Sequence, residues 1–423
     1  MLPEIRTKDT SLSLPILDLT PSDIDNFLQL HQEYLANFSE CFYRRESVNN
    51  LSRYSLGQFL DLRRKSIEPM ALHLEDCVVR SLQRFISNGV WYESKLLKIH
   101  HKLVEEVLGE SRGVLIFDES GTLKKGKESP GTARQYCGNV GKVDNSQVGV
   151  FCSYASSLGY TLVNARLFSP QKWFGEPYSE RRAKCKYPSD LVFKTKPEIA
   201  SELFDEIVEE KNLRFRYVAA DALYGDNDGF VESLEKYKDK IYYLAISSTR
   251  LCWEKKPSVK IITHRSRKNI LQKKVLCNPL NKPQTVLNLA QSIKETFWYR
   301  RTVSEGTKGP IVYEFTKKRV TLSRNKLPQK RVWLIVKRTL GDNPEYSFYI
   351  SNASGKTPLK TFVWLSGTRW SIEQCFEEGK SQLGMDHYEG RKYAGWHHHM
   401  FVSMLSHFFL WYLKIHEGKK VLL

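Results

Sequence analysis

No Cys-x-x-Cys pair occurs in this sequence, although eight cysteines are spread along it, at Cys41, Cys77, Cys137, Cys152, Cys185, Cys252, Cys277 and Cys375. That scatter excludes a zinc ribbon and a thioredoxin-like motif. A chain of 423 residues needs no disulfide framework, so reduced thiols and a cytoplasmic setting are expected. Met1 to Pro15 lacks a basic start followed by an apolar run, so no signal peptide is expected. The longest apolar stretch, Phe401 to Leu413, is interrupted by Ser403, Ser406 and His407. It is too short to cross a bilayer and predicts a buried helix, so no membrane partner is expected. Internal repeats and low-complexity tracts are absent. So is acid from one long stretch: Lys255 through Ile293 contains neither Asp nor Glu.

What is present is base and apolar mass. The formal net charge is +18, with 41% hydrophobic and 12% aromatic residues, enough for a folded core. Such a basic chain is expected to meet a polyanion, and nucleic acid is the first candidate. The acid-free stretch carries Lys255, Lys256, Lys260, Arg265, Arg267, Lys268, Lys273 and Lys274. A charge run is ordinarily a solvated face; one this sustained points to a surface facing phosphates.

Residues 21–109 read as helical. Thr20 or Ser22 caps a helix with Ile24, Phe27, Leu28 and Leu35 near helical spacing; further helices are expected over Leu72 to Ile86 and Glu93 to Leu108. The pattern changes at Gly113. Val114 to Phe117 predicts a buried strand, and Gln147 to Tyr154 with Tyr160 to Phe168 predicts a hairpin around Ser157-Leu158-Gly159. A helix over Pro197 to Glu210, a strand over Phe215 to Ala220, a helix near Gly229 to Tyr237 and a strand over Ile241 to Ile246 follow. Strands Ile311 to Leu322, Val332 to Val336 and Tyr346 to Ile350 come next, and a broken helical region runs from Phe362 to about His416. The result is an α/β chain with a mixed sheet and helices against it.

Two aspartates sit at ends of predicted strands, Asp118 after Phe117 and Asp221 after Ala220. A buried strand-end carboxylate is costly unless it meets a cation or a donor. One is ordinarily structural; two suggest a shared metal. Arg369, Glu373, Glu377 and Lys380 are spaced four, four and three apart, which places them on one helix face. That face could be a solvated salt-bridge ladder. Beside two strand-end aspartates it reads as a third carboxylate with phosphate-binding cations, Arg369 and Lys380. Glu119 and Glu377 are rivals for the carboxylate set, but Glu119 points away from Asp118 if the strand continues. Asp226 and Asp228 read as a turn and a helix cap.

These blocks resemble bacterial insertion-sequence transposases of the DDE type, which have an RNase H-like catalytic core. The matching stretches are Phe117-Asp118-Glu119-Ser120-Gly121, Lys124-Lys125-Gly126-Lys127, Ala133-Arg134-Gln135-Tyr136-Cys137-Gly138, Val218-Ala219-Ala220-Asp221-Ala222-Leu223-Tyr224-Gly225 and Arg369-Trp370-Ser371-Ile372-Glu373 with Phe376 and Lys380. The family's Tyr-x2-Arg-x3-Glu-x6-Lys signature fits at Arg369, Glu373 and Lys380, with Ser366 where the tyrosine would stand. In related enzymes that tyrosine contacts DNA near the cut; Trp364 and Trp370 flank the gap and could stack on a base or pack in the core.

The resemblance implies an RNase H-like mixed sheet flanked by helices, a helical DNA-binding region over 1–110, catalytic core over 111–250, a basic β-rich insertion over 251–359 and C-terminal helices completing the core over 360–423. It implies Asp118, Asp221 and Glu373 as catalytic metal ligands for two Mg2+ ions, with Mn2+ as a substitute. The implied partners are double-stranded DNA, as transposon terminal inverted repeats and target, and a second copy of the chain on that DNA, in a bacterial nucleoid. Arg369, Lys380, Lys124, Lys125, Lys127, Arg134 and Trp370 are the expected DNA contacts, with Tyr136, His387 and Arg391 as further candidates. An RNase H-like nuclease without strand transfer and a non-catalytic DNA-binding derivative are the alternatives. Gly121 to Glu128 nearly forms a P-loop, but Glu128 stands where Ser or Thr should be, and Pro130 and Gly131 oppose the helix it needs. His397-His398-His399 point in three directions on a helix and read as packing.

Overall fold

The computed structural model describes residues 21–265, 270–306 and 309–421. Thr20, Arg267, Lys268 and the segment Met1 to Pro15 lie outside the described residues. The chain divides into two compact units: residues 217–369 form a central unit, and the chain on either side forms a flanking unit.

The flanking unit begins with five helices, α1 (Pro21–Ala36), α2 (Arg45–Phe59), α3 (Ile67–Leu72), α4 (Val79–Asn88) and α5 (Glu93–Leu108). The single helix expected over Leu72 to Ile86 is corrected to two, α3 and α4. Between them Asp76 takes φ 52, a left-handed conformation that a helix interior does not hold. Sequence periodicity misses α2 because its buried side includes Asn50, Ser55 and Gln58 beside Leu51 and Tyr54.

Four strands follow: β1 (Val114–Leu123), β2 (Ala133–Cys137), β3 (Lys142–Ala155) and β4 (Tyr160–Phe168). All pair antiparallel through β3, which holds β1 on one edge, β4 on the other and β2 along its first residues. The expected hairpin is β3–β4. β1 is longer than its apolar run, because β3 supplies pairing partners as far as Ser146, opposite Leu123. Asp118 therefore lies within the strand rather than after its end. After a short α6 (Ser179–Cys185), Thr195 and Glu198 form a capping box for α7 (Lys196–Glu210), which buries Ile199, Leu203, Phe204 and Ile207.

In the central unit, β5 (Tyr217–Ala220) leads into α8 (Ala222–Gly225), α9 (Asp228–Glu235) and β6 (Ile241–Ile246), which runs parallel to β5. Then come β7 (Leu251–Trp253), β8 (Val259–Arg265), β9 (Ile270–Leu276), β10 (Gln284–Thr285), α10 (Val286–Gln291), β11 (Tyr299–Gly306), β12 (Gly309–Arg324), β13 (Leu327–Arg338), β14 (Tyr346–Ser351) and α11 (Leu359–Thr368). Within this unit the strand order is β10-β7-β12-β13-β14-β6-β5, with β11 also on β12 and β8–β9 a separate two-stranded ribbon. The sheet is mixed, β5 and β6 being its parallel pair. The β12–β13 hairpin turns on Asn325 and Lys326, both left-handed at φ 51 and 62, as a tight hairpin turn requires.

The chain returns to the flanking unit as α12 (Ser371–Leu383) and α13 (Tyr393–Val421). Phe401 to Leu413 forms the buried middle of α13. α13 is not purely greasy. Gln58 Nε2 donates to Ser403 Oγ at 2.8 Å, Ser55 and Ser406 hydroxyls meet at 2.9 Å, and His31 meets Ser55 at 2.9 Å. These bonds satisfy the polar face of α2. The adjacent histidines take three separate partners: His397 Nδ1 lies 3.1 Å from the Tyr393 carbonyl, His398 stacks on Trp91 at 4.1 Å, and His399 meets Tyr54 Oη at 2.8 Å. Among the described residues no helix is long and apolar enough to cross a membrane.

Two outcomes follow from this packing. A Cβ on Gly225 would lie 1.8 Å from the Ala245 carbonyl oxygen of β6. Gly225→Ala is expected to cost about 3 kcal/mol or more, read as a lower urea midpoint at unchanged slope. Burial holds His31, His397 and His399 down at about 4 and His100 at about 3, so all four fold in the neutral form. Their folded values are depressed, so their contribution is complete above the unfolded value near 6.5 and is lost as pH falls from there through 4. Stability from urea titrations is expected to drop over that window, with a slope approaching ~1.4 kcal/mol per pH unit for each histidine. A flat profile from pH 7 to 4.5 would contradict it.

Candidate active site

The pleat of β1 sorts its side chains onto two faces. Phe117 packs on Phe204 of α7, with ring centroids 6.4 Å apart, and Glu119 Oε1 pairs with Lys196 Nζ at 2.9 Å. That face belongs to α7. Ser120 and Thr122, on the other face with Asp118, line a small cleft that also receives Lys380, Asp386 and Trp396. The separation of Glu119 from Asp118 expected from strand alternation is corrected: the two side chains start on opposite faces, yet a carboxylate oxygen of each comes within 4.8 Å of the other, so Glu119 stays within reach of a cation at Asp118. Asp118 is half-buried opposite Phe151 of β3, and its Oδ1 accepts the Glu119 backbone N–H at 2.8 Å.

α12 lies against β1, β3 and β4 through Ile372, Cys375, Phe376, Gly379 and Leu383. Phe376 meets Phe151 at 5.2 Å. Glu378 accepts from Tyr160 Oη at 2.6 Å and meets His407 Nε2 at 3.0 Å, an anchor that no sequence motif announces. Glu373 is half-buried in the first turn of α12, where the helix dipole favours an acid, and Glu377 is exposed. Lys380 is half-buried beyond them. Burial pushes its ammonium below the ordinary lysine range, and the acidic groups of Asp386, Cys137 and Asp118 act the other way. Asp386, which sequence reasoning missed, follows the left-handed Gly384 that ends α12.

One expectation is corrected. Arg369 does not lie in the same helix as Glu373 and Lys380, because α11 stops at Thr368 and α12 begins at Ser371. Arg369 is instead the residue that ends α11, its N–H donating to the Leu365 carbonyl at 3.0 Å. Trp370, at the joint, is 54% exposed. In the central unit Trp364 is buried against Tyr217 at 5.4 Å, so its role is packing. Ser366 is half-buried on α11.

The basic residues after β1 split into two kinds. Lys125, Lys127 and Arg134 are exposed. Lys124 turns inward, its Nζ donating to the Tyr388 carbonyl, and burial pushes it down to about 8. The segment passes from strand β1 to strand β2 with no helix, so it lacks the P-loop geometry. Tyr136 and Arg391 are exposed, whereas His387 Nδ1 accepts the Lys65 N–H at 2.9 Å.

Asp221 belongs to the central unit. It caps α8, its Oδ1 accepting the Leu223 N–H at 3.0 Å, and it remains half-buried. Asp226 accepts the Ser247 N–H at 2.9 Å, and Asp228 is bound by Arg250 and Arg324, so both are occupied in structure. Asn227, not either aspartate, caps α9. The donor atoms offered by Asp118, Asp221 and Glu373 are all carboxylate oxygens. That set fits a hard divalent cation such as Mg2+ or Mn2+ and does not favour a soft metal.

Among curated proteins, the chain is 31% identical over 222 residues to a probable transposase for insertion sequence element IS701 from Microchaete diplosiphon. The match covers 51% of this chain and 53% of that protein, so the chain spans about half the length of this relative. Among solved structures, the piggyBac transposase synaptic complex with hairpin DNA aligns over 93% of this chain and 76% of its own, at 8% identity and a TM-score of 0.41. Residues 37–310 match the DDE superfamily endonuclease family, a span that holds Asp118 and Asp221 but ends before Glu373. That span exceeds half of the 423 residues, and the chain belongs to the DDE superfamily endonucleases.

Proposed function

We propose that this protein is a DNA transposase with an RNase H-like core, which cuts at the ends of its element and joins the freed 3′-hydroxyl to target DNA. The reading is carried by one observation: a chain of the DDE endonuclease family bears carboxylates in the order Asp118, Asp221, Glu373, with a half-buried ammonium, Lys380, under the influence of the first. Asp118, Asp221 and Glu373 would hold two Mg2+ ions. When bound, these supply neutralising charge on the scissile phosphate and a more acidic attacking water or hydroxyl.

The chain's own residues have separate tasks. The rigid seating of α12 on the sheet orients Glu373 and Lys380 together. Lys380 offers a desolvated cation to a phosphate oxygen, where its attraction is stronger than in bulk water. Lys125, Lys127 and Arg134 bind the backbone of duplex DNA from the open surface, and Arg369 binds a further phosphate. Trp370 presents an exposed ring on which a displaced base can stack. Water attack on phosphorus breaks the bond to the 3′ oxygen, which leaves protonated as a hydroxyl; that hydroxyl then displaces a 3′ oxygen of target DNA at phosphorus. Work at two element ends requires two copies of the chain on the DNA.

The test is a labelled element-end duplex with Mg2+ and a target plasmid. Asp118→Asn, Asp221→Asn and Glu373→Gln are each expected to lower cutting by about 10³-fold or more, equivalent to about 4 kcal/mol of barrier, without loss of fold. Glu119→Gln, whose carboxylate is already held by Lys196 at 2.9 Å, is expected to stay within about tenfold of wild type. Full cutting by any of the first three removes that residue from the site. Cutting without joined product identifies a nuclease instead.

The loop lysines separate by a second pair of measurements. Lys125→Ala with Lys127→Ala is expected to weaken duplex binding at unchanged melting temperature. Lys124→Ala leaves the Tyr388 carbonyl without its donor and is expected to cost stability of about 1–3 kcal/mol.

A further inference from the structure

The β8–β9 ribbon is a sheet of its own within the central unit, with β9 touching β13. Its strands pair only with each other, in register from Val259 opposite Leu276 to Arg265 opposite Ile270. Side chains opposite one another share a face. One face carries Lys260, Ile262 and Lys273; the other carries Val259, Ile261 and Lys274. All six are exposed, Ile261 at 58% and Val259 at 41%. Val275 and Leu276, one on each face near the base, are half-buried, so neither face is fully covered. A two-stranded ribbon whose outer residues are exposed on both faces is marginal in water by itself, so this one is shaped to be covered.

The surrounding sequence states the charge of the cover. No Asp or Glu occurs from Lys255 to Ile293, while lysines occupy both faces of the ribbon. A protein surface would meet this ribbon with mixed charge; a polyanion meets it on both faces at once. Seven residues of strand reach about 23 Å, and a two-stranded ribbon fits the major groove, roughly 12 Å wide.

We propose that β8–β9 is an arm that enters the major groove of duplex DNA and supplies binding energy rather than chemistry. The inference rests on the transposase reading and specifies which part of the basic insertion grips the duplex. The base of the arm allows a clean excision, because the Cys277 N–H donates to the Ser258 carbonyl at 2.9 Å and holds the two strand ends together.

The experiment measures the affinity of the whole protein for a fluorescent element-end duplex and a scrambled duplex over a series of salt concentrations. Combining Lys260→Gln, Lys273→Gln and Lys274→Gln is expected to reduce the slope of log affinity against log salt by about two to three. Replacing residues 259–276 with a short glycine turn is expected to weaken binding by about 10- to 100-fold, while cutting at saturating protein stays within about twofold. If wild type binds with a salt-dependent affinity that neither variant alters, the arm is not a DNA contact. Loss of cutting at saturation in a folded excision variant would place the ribbon in the chemistry and overturn the affinity role. If wild type itself binds no duplex, the transposase reading falls and the arm with it.

Discussion

A pleated strand sends successive side chains to opposite faces, and the flanking unit is arranged around that constraint at residues 118 and 119. The two neighbouring acids keep carboxylate oxygens within 4.8 Å of each other yet take different partners. Glu119 is spent on a half-buried ion pair with Lys196 at the start of α7. Asp118 faces the side where Ser120, Thr122 and Lys380 gather. Had β3 ended its pairing at Phe117, the backbone at 118 would be a loop and the assignment of faces would be open. Pairing as far as Leu123 fixes it.

The second support is the polar interior of α13. Its histidines and serines each meet a partner: Tyr54, Gln58, Ser55 and Glu378 among side chains, and the Ile86, Tyr393 and Met385 carbonyls among backbone groups. A wholly aliphatic helix of that length would pack in several rotational settings; directional bonds select one. Since Glu378 of α12 is held by His407 of α13, the setting of α13 passes to α12 and so to Glu373.

Much of this was legible in the residues. The apolar run before Asp118, the hairpin, the capped α7 and the strands of residues 311–350 have periods and breakers that act locally. The Asp-Asp-Glu pattern came from motif order rather than from any one segment. α2 escaped because its inward face is partly amide and hydroxyl, which periodicity scores as solvent. The division between α3 and α4 escaped because nothing about Asp76 announces a left-handed backbone. Arg369 was placed one helix too far because residue spacing cannot reveal where a helix stops and restarts. Lys124 looked equivalent to Lys125 and Lys127; only the Tyr388 carbonyl distinguishes it. Asp386 and Glu378 carry no signal at all, since their partners lie far away in sequence.

α12 also behaves as a ruler. Glu373 and Lys380 are separated by about two turns, or roughly 10 Å along the axis, on a rod that cannot roll while Tyr160 and His407 grip Glu378. A residue inserted between them would swing the cation by about 100° and lift it away from β1. Segments of this kind can drift in composition on their outer side yet remain frozen in length, so that indels along α12 should be far rarer than substitutions at Glu377 or Ser381.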